Sequence, residues 1–241
     1  MAERRLFIDF ETNRDGEIFL VGLHWDEKFE QIILNEGLVG AGKAKGLECL
    51  SAKEFMDRLV SLTNDRSLIL CAYTRAEANV LAAHFESIQT SLPDLHYCDL
   101  HKAAKKWVNK RKHKEFNNLP PYRIGASAYE QRRQKWSLAS VMRLSNLTAP
   151  HDYAPGQTTQ RINSVIKALT RSGEDFDQIT PTNKAKFTKL LKHNEFDVMA
   201  LAHLFEEIQS SDPHLIENAT RPISELVHDK PSSFLDPSSD Q

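Results

Sequence analysis

The chain has 241 residues, which is enough for one large domain or two small ones. Hydrophobic residues make up 40% and charged residues 27%, an ordinary globular balance, and the net charge of -2 gives no global sign of a polyanionic partner. The three cysteines, Cys49, Cys71 and Cys98, lie far apart, so neither a zinc ribbon nor a disulfide framework is indicated. No stretch approaches the roughly 20 apolar residues of a membrane span. We therefore expect a cytoplasmic protein with no membrane partner.

The first predicted strand carries two acidic side chains. The run from Leu6 to Phe10 is apolar except for Asp9, and Glu11 follows two residues later, on the same face of the strand. Two ionised carboxylates this close repel each other, and they are costly in an apolar interior unless they are paired or bind a metal. The pattern therefore indicates a divalent-metal site. The alternative is a strand end at which Glu11 has reached solvent and Asp9 caps a turn.

Apolar runs and turn signals predict the elements up to residue 99. They comprise strands at 18–23, 29–34, 68–72 and 95–98, a glycine-rich loop at 37–46, and helices after the capping box Ser51–Glu54 and at 75–88. The first three strands form an antiparallel meander. Glu77 lies in the first turn of the second helix, where the helix dipole also favours an acid. Asp99 ends the last of these strands.

The stretch from His101 to Arg143 is strongly basic, with Glu115 and Glu130 as its only acids. Basic residues with interleaved aromatics are typical of a nucleic-acid surface. The candidate nucleic-acid-binding residues are Lys105, Lys106, Lys110, Arg111, Lys112, Arg132, Arg133, Lys135 and Trp136. The alternative is a solvated helix face followed by a long polar loop.

The C-terminal part is predicted to be helical at 160–171 and at 182–209, after a short helix capped by Ser137 and a loop at 151–158. The longer helix has an apolar stripe. Asp197 lies at the edge of that stripe, and His193 lies four residues before it on the same face. Residues 216–241 are rich in Pro, Ser and Asp, so we expect a single domain at 1–215 and a loosely ordered tail.

The order of these acids resembles the motifs of the DEDD exonuclease superfamily. Phe7–Thr12 looks like its first motif (Asp-x-Glu), Ala72–Glu77 lies where its second motif belongs, and His193–Asp197 looks like its third. Tyr97–Leu100 and Trp136–Val141 resemble the segments between these motifs in predicted nucleases of the YprB type. The resemblance covers about residues 5 to 210.

The resemblance implies a ribonuclease H-like α/β fold, with a mixed sheet of about five strands flanked by helices and a basic family-specific insertion at about 101–180. It also implies that two divalent cations, Mg²⁺ or Mn²⁺, are bound by four carboxylates. The implied metal ligands are Asp9, Glu11, Glu77 and Asp197. His193 would act as general base, and Asp99 would either support the ligands from behind or only cap the following helix.

Three departures from the superfamily pattern leave roles open. Glu77 replaces the usual aspartate, and Tyr73 stands where the second motif usually has asparagine. His193 has the spacing of the superfamily's tyrosine rather than of its histidine, so it is either the general base or an ordinary helix residue.

The expected function is metal-dependent 3′–5′ exonuclease activity on single-stranded DNA or RNA, starting at a 3′ end. An endonuclease of the same fold and an inactive nucleic-acid-binding module are the alternatives. The near-neutral net charge leaves room for a protein partner that delivers substrate, although no motif shows one.

Overall fold

A mixed β-sheet forms the centre of the computed structural model, which describes residues 4–13, 16–63, 68–84, 95–120, 134–150, 153 and 157–228. Its strands are β1 (Arg4–Thr12), β2 (Ile18–Trp25), β3 (Lys28–Ile33), β4 (Glu48–Cys49), β5 (Leu68–Ala72), β6 (His96–Asp99) and β7 (Thr220–Pro222). Within the described residues the sheet has seven strands in the order β4-β3-β2-β1-β5-β6-β7. β1, β2 and β3 are antiparallel neighbours, whereas β5 runs parallel to β1 and β6 parallel to β5.

The predicted mixed α/β sheet with an antiparallel start is confirmed, but it has seven strands rather than about five. The two additional strands, β4 and β7, are short and lie at the edges, where β4 pairs with β3 and β7 with β6. The tail prediction is wrong for residues 216–228. There β7 joins the sheet, and the backbone N–H of Ile223 donates to the carbonyl oxygen of Leu95 at 2.9 Å. Residues 229–241 lie outside the described part of the chain.

Helices cover both faces of the sheet. They are α1 (Val39–Ala44), α2 (Ala52–Thr63), α3 (Arg75–His84), α4 (Leu100–Trp107), α5 (His113–Asn117), α6 (Leu138–Met142), α7 (Thr158–Arg171), α8 (Pro181–Ser211), α9 (Pro213–Glu217) and α10 (Ile223–His228). A π-helical turn, Val108–Lys112, joins α4 to α5. Short 3₁₀ turns occupy Glu36–Leu38, Arg143–Ser145 and Phe176–Gln178.

Two local predictions of helix starts are confirmed. Ser51 and Glu54 form a capping box, because the Ser51 N–H donates to Glu54 Oε2 at 2.7 Å and the Glu54 N–H donates to Ser51 Oγ at 3.3 Å. Ser137 caps α6 by accepting from the Ser140 N–H. The loop predicted at 37–46 is wrong, because most of it is helical. Its glycines allow close packing: a Cβ atom at Gly42 would lie 2.6 Å from Ile33 Cγ1.

Alternation along β1 separates an apolar face from the face that carries the acids. Leu6, Ile8 and Phe10 point to the core formed with α2 and α3. Phe7 points to the opposite face, where it packs in the cluster that includes α4, α6 and α8. Asp9 and Glu11 follow Phe7 on this second face, beneath the long helix α8.

Candidate metal centre

Asp9 is held by a row of residues that crosses the sheet. In the strand register Asp9 pairs with Gly22, and Gly22 pairs with Gln31. Asn194 of α8 lies over this row: its Nδ2 donates to Asp9 Oδ2 at 2.9 Å, and its Oδ1 accepts from Gln31 Nε2 at 3.0 Å. Gln31 is itself anchored to α8 by a 2.8 Å bond to the Leu191 carbonyl. The Asn194 amide is therefore fixed at both ends and sets the orientation of the Asp9 carboxylate.

Gly22 is what allows α8 to approach the sheet this closely. A Cβ atom at this position would lie 2.4 Å from Asn194 Oδ1 and 2.7 Å from Val198 Cγ2. Asn194 is fully buried, at 0% exposure. Sequence reasoning placed Asn194 in an apolar stripe without giving it a role. A polar amide within an apolar stripe indicates a buried hydrogen bond, and this was the signal that could have identified Asn194.

Glu11, His193 and Asp197 come together at the end of β1. One potential ligand atom from each residue lies within 4.8 Å of the other two. His193 Nε2 lies 3.2 Å from Asp197 Oδ2, as the predicted i, i+4 spacing on one helix face requires. All three side chains are buried, with exposed fractions of 6%, 8% and 9% respectively.

Tyr153 is a member of this site that sequence reasoning missed. Its hydroxyl donates to Asp197 Oδ1 at 2.8 Å. Its ring stacks on His193, with centroids 4.1 Å apart and planes at 9°, and meets Phe196 edge-on at 5.0 Å. Residue 153 lies in the segment predicted to be a loop, and no local pattern connects it with Asp197, 44 positions away.

Glu77 lies in the first turn of α3, and neither it nor Asp9 belongs to the group of ligand atoms within 4.8 Å. Thr74 Oγ1 accepts from the Ala76 N–H at 3.1 Å and donates to Glu77 Oε2 at 3.2 Å. Burial, followed by the negative charge of Asp9, raises the pKa of Glu77 to about 8. Glu77 therefore shares the electrostatic environment of Asp9, although it belongs to a different strand–helix connection.

Burial raises the pKa of each of the four acids. Burial raises the pKa of Asp9 to about 6, although the hydrogen bond from Asn194 opposes the shift. The pKa values of Glu11 and Asp197 are also raised, first by burial and then by the charge of Asp9. Asp9 thus acts on the other three acids.

The surroundings of Glu11 and His193 include groups from α7. A hydrogen bond from Thr158 and the positive charge of Arg161 lower the pKa of Glu11 against the larger effect of burial. Burial, and then the charge of Arg161, lowers the pKa of His193 to about 4, so its ring is neutral at pH 7.

The donor set fits hard or borderline divalent cations. Carboxylate oxygens are the ligands that Mg²⁺ and Mn²⁺ prefer, and a cation would offset the repulsion among the acids. Glu11 Oε1 and His193 Nδ1 are buried and have no hydrogen-bond partner among the described residues. Such atoms are costly unless a further group satisfies them, and for the Glu11 oxygen a cation would do so.

Asp99 caps α4, which was one of its two predicted roles. Its Oδ1 accepts from the Lys102 N–H at 2.9 Å. The hydrogen bonds of the described residues connect it with none of the four acids. Burial, then the charge of Glu77 and then that of Asp99, raises the pKa of Tyr97, whose hydroxyl donates to the Thr74 carbonyl. The predicted supporting role of Asp99 remains a prediction.

The basic candidates in the described ranges lie on and near α4. Lys105, Lys106, Lys110 and Arg111 are exposed, whereas Lys112, Lys135 and Trp136 are partly buried; Arg132 and Arg133 lie outside the described residues. The Trp136 ring packs on Phe116 with centroids 4.2 Å apart.

Contacts with the β5–α3 turn connect this surface with Glu77. The His101 N–H of α4 donates to the Tyr73 carbonyl at 2.7 Å, and the Tyr73 hydroxyl donates to the Trp136 carbonyl at 2.6 Å. The basic helix therefore begins at the same end of the parallel strands as the acids.

Comparisons with protein-family models, curated proteins and solved structures give no match. The resemblance to DEDD exonucleases therefore remains a prediction. No helix among the described residues is long and apolar enough to cross a membrane.

Proposed function

We propose that this protein is a divalent-metal-dependent phosphodiester hydrolase, specifically a 3′–5′ exonuclease on single-stranded DNA or RNA. The observation that carries the proposal is the group of Glu11, His193 and Asp197, whose ligand atoms lie within 4.8 Å of one another; Asp9 lies on the same face of β1 as Glu11, and its charge raises the pKa of Glu77. Each of the four acids has its pKa raised by burial, and Asp9 acts electrostatically on the other three. Buried acids with strongly shifted pKa values are concentrated at functional sites. The order of the motifs, which resembles that of 3′–5′ exonucleases, is the basis for proposing that degradation starts at a 3′ end.

The side chains around the acids keep them in fixed orientations. Two divalent cations held by these carboxylates would supply Lewis acidity and a bound water of lowered pKa. Asn194 holds Oδ2 of Asp9, and Tyr153 holds Oδ1 of Asp197. Fixed ligand orientation matters because supporting hydrogen bonds set metal affinity and activity.

The exposed basic face of α4 is the proposed contact for the nucleic-acid backbone. Lys105 and Lys106 are exposed on this helix, which begins beside the Glu77 turn, and Arg111 is exposed on the π-helical turn that follows it. Lysine and arginine contacts to phosphates release counterions, so binding should weaken with salt. A cytoplasmic setting, consistent with three free cysteines, and a protein partner that delivers substrate belong to the same proposal.

Degradation of a 5′-labelled single-stranded oligonucleotide tests the proposal. DNA and RNA are incubated in parallel with Mn²⁺, Mg²⁺ or EDTA, using wild type and Asp9→Asn. Glu195→Gln is the matched control, because Glu195 lies in the same helical turn as His193 and Asp197 but is exposed. The proposal predicts a metal-dependent ladder that shortens from the 3′ end, is lost in Asp9→Asn and is retained in Glu195→Gln.

Other outcomes identify the alternatives. Cleavage of a circular single strand would replace the exonuclease with an endonuclease. No cleavage with any metal, together with salt-sensitive binding of the same oligonucleotide, would replace the enzyme with a binding module.

A further inference from the structure

The arrangement of Glu11, His193 and Asp197 gives His193 a role other than that of a general base. His193 Nε2 lies 3.2 Å from Asp197 Oδ2. Two ligand atoms at right angles around an ion that is about 2.1–2.2 Å away lie about 3.0–3.1 Å apart. The pair is therefore already spaced as two adjacent ligands of one cation.

The third corner of this group is Glu11. The three potential ligand atoms lie within 4.8 Å of one another. Ligands on opposite sides of such an ion are about 4.2–4.4 Å apart, so a contraction of a few tenths of an ångström brings all three into range. Glu11 Oε1 is buried, at 6% exposure for the residue, and no described group donates to it. This second observation distinguishes the site from a mere cluster of acids.

The surroundings of the His193 ring restrict how it can act. Tyr153 covers one of its faces at a centroid distance of 4.1 Å, and the residue is 8% exposed. A ring nitrogen offers its lone pair in the plane of the ring, which the stacked tyrosine leaves open. The same tyrosine donates to Asp197 Oδ1 at 2.8 Å, which leaves Oδ2 as the oxygen that faces His193.

We propose that His193 binds a metal ion through Nε2, together with Glu11 and Asp197, and that this position selects a first-row transition ion such as Mn²⁺ over Mg²⁺. Imidazole nitrogen favours transition ions, whereas Mg²⁺ prefers oxygen ligands and retained water. The inference depends on the proposed metal centre, and it does not depend on the proposed reaction. It removes His193 as general base, because a nitrogen bound to a metal has no lone pair left for a proton of water.

Pulsed electron paramagnetic resonance with Mn²⁺ alone, on the full chain, is the direct test. The wild type should show a ¹⁴N hyperfine coupling from a directly bound imidazole. His193→Gln should lose this coupling, and His203→Gln should retain it, because His203 lies on the same helix but is exposed.

Calorimetric titration gives a second readout. The ratio of Mn²⁺ to Mg²⁺ affinity should fall at least about tenfold in His193→Gln and stay unchanged in His203→Gln, since even the loss of an outer supporting group costs that much. The ¹⁴N coupling is measured in the wild type itself, so the test can be made even if His193→Gln does not fold.

The outcomes separate this inference from the proposed function. Nitrogen coupling without any nuclease activity would support the site and reject the nuclease. Nuclease activity with no ¹⁴N coupling and an unchanged affinity ratio in His193→Gln would overturn the inference and leave the nuclease standing. No binding of Mn²⁺ would overturn the metal site.

Discussion

Replacing Gly22 with alanine should both destabilise the protein and disturb the candidate metal centre. The new Cβ atom would lie 2.4 Å from Asn194 Oδ1, whereas ordinary van der Waals contact begins at 3.4 Å, so the amide must move by about 1.0 Å (3.4 − 2.4). Displacement by that distance can lengthen the 2.9 Å bond from Asn194 to Asp9 beyond hydrogen-bond range. The new Cβ atom would also lie 2.7 Å from a Val198 methyl group, so a second side chain of α8 must shift as well.

The expected loss of stability is about 1–3 kcal/mol, the usual cost of overpacking a core. For a domain of this size, 1 kcal/mol corresponds to about 2–4 °C in Tm, so Tm should fall by about 2–12 °C. Mn²⁺ affinity should fall by about tenfold or more, because Asp9 loses its orienting partner. Thermal unfolding in EDTA and titration with Mn²⁺ measure the two effects separately.

Gly42→Ala is the matched control. Its Cβ atom would lie 2.6 Å from Ile33 Cγ1 and 3.0 Å from Cys49 Sγ, which is a similar clash without Asp9 or Asn194. It should lower Tm by a similar amount and leave Mn²⁺ affinity unchanged. An unchanged Tm in Gly22→Ala, or equal losses of Mn²⁺ affinity in both variants, would refute the reasoning.

Three further predictions concern pH, Tyr153 and the C-terminal part of the fold. Because the folded pKa values of Asp9 (about 6) and Glu77 (about 8) are raised above their unfolded values, the folded state binds more protons in between, and stability falls as pH rises from about 4 to 8. Tm in EDTA should therefore be lower at pH 8 than at pH 5, and Mn²⁺ should raise Tm more at pH 8; a flat profile in EDTA would contradict this. Tyr153→Phe removes the 2.8 Å bond to Asp197 but keeps the stacked ring, so denaturant unfolding should show a loss of about 0.5–1.5 kcal/mol, and a gain in stability would count against the bond. Ile223→Ala should cost about 2–5 kcal/mol, since Ile223 is fully buried at 0% exposure, whereas a loose tail would give no change in the same assay.

The parts of the site that sequence reasoning found are those encoded by short-range spacing. Asp9 and Glu11 share a face because strands alternate, and His193 and Asp197 share a face because helices repeat every 3.6 residues. The capping box at Ser51 was readable for the same reason. Each of these relations spans at most four positions in the chain.

The parts that sequence reasoning missed depend on contacts between distant segments. Tyr153 and Asp197 are 44 positions apart in the chain and meet only in the folded structure. The role of Asn194 depends on the register that aligns Asp9, Gly22 and Gln31 across three strands, which no single segment encodes. Helix α1 was mistaken for a loop, since its glycines, poor helix formers, are retained for close packing.

The two short strands β4 and β7 have a consequence for solubility in concentrated solution. An outer strand exposes unpaired N–H and C=O groups, which can recruit a strand of another molecule. Within the described chain, β4 has 2 residues and β7 has 3, and Pro222 in β7 has no N–H to offer. The two outermost strands therefore offer few backbone groups to a strand of another molecule.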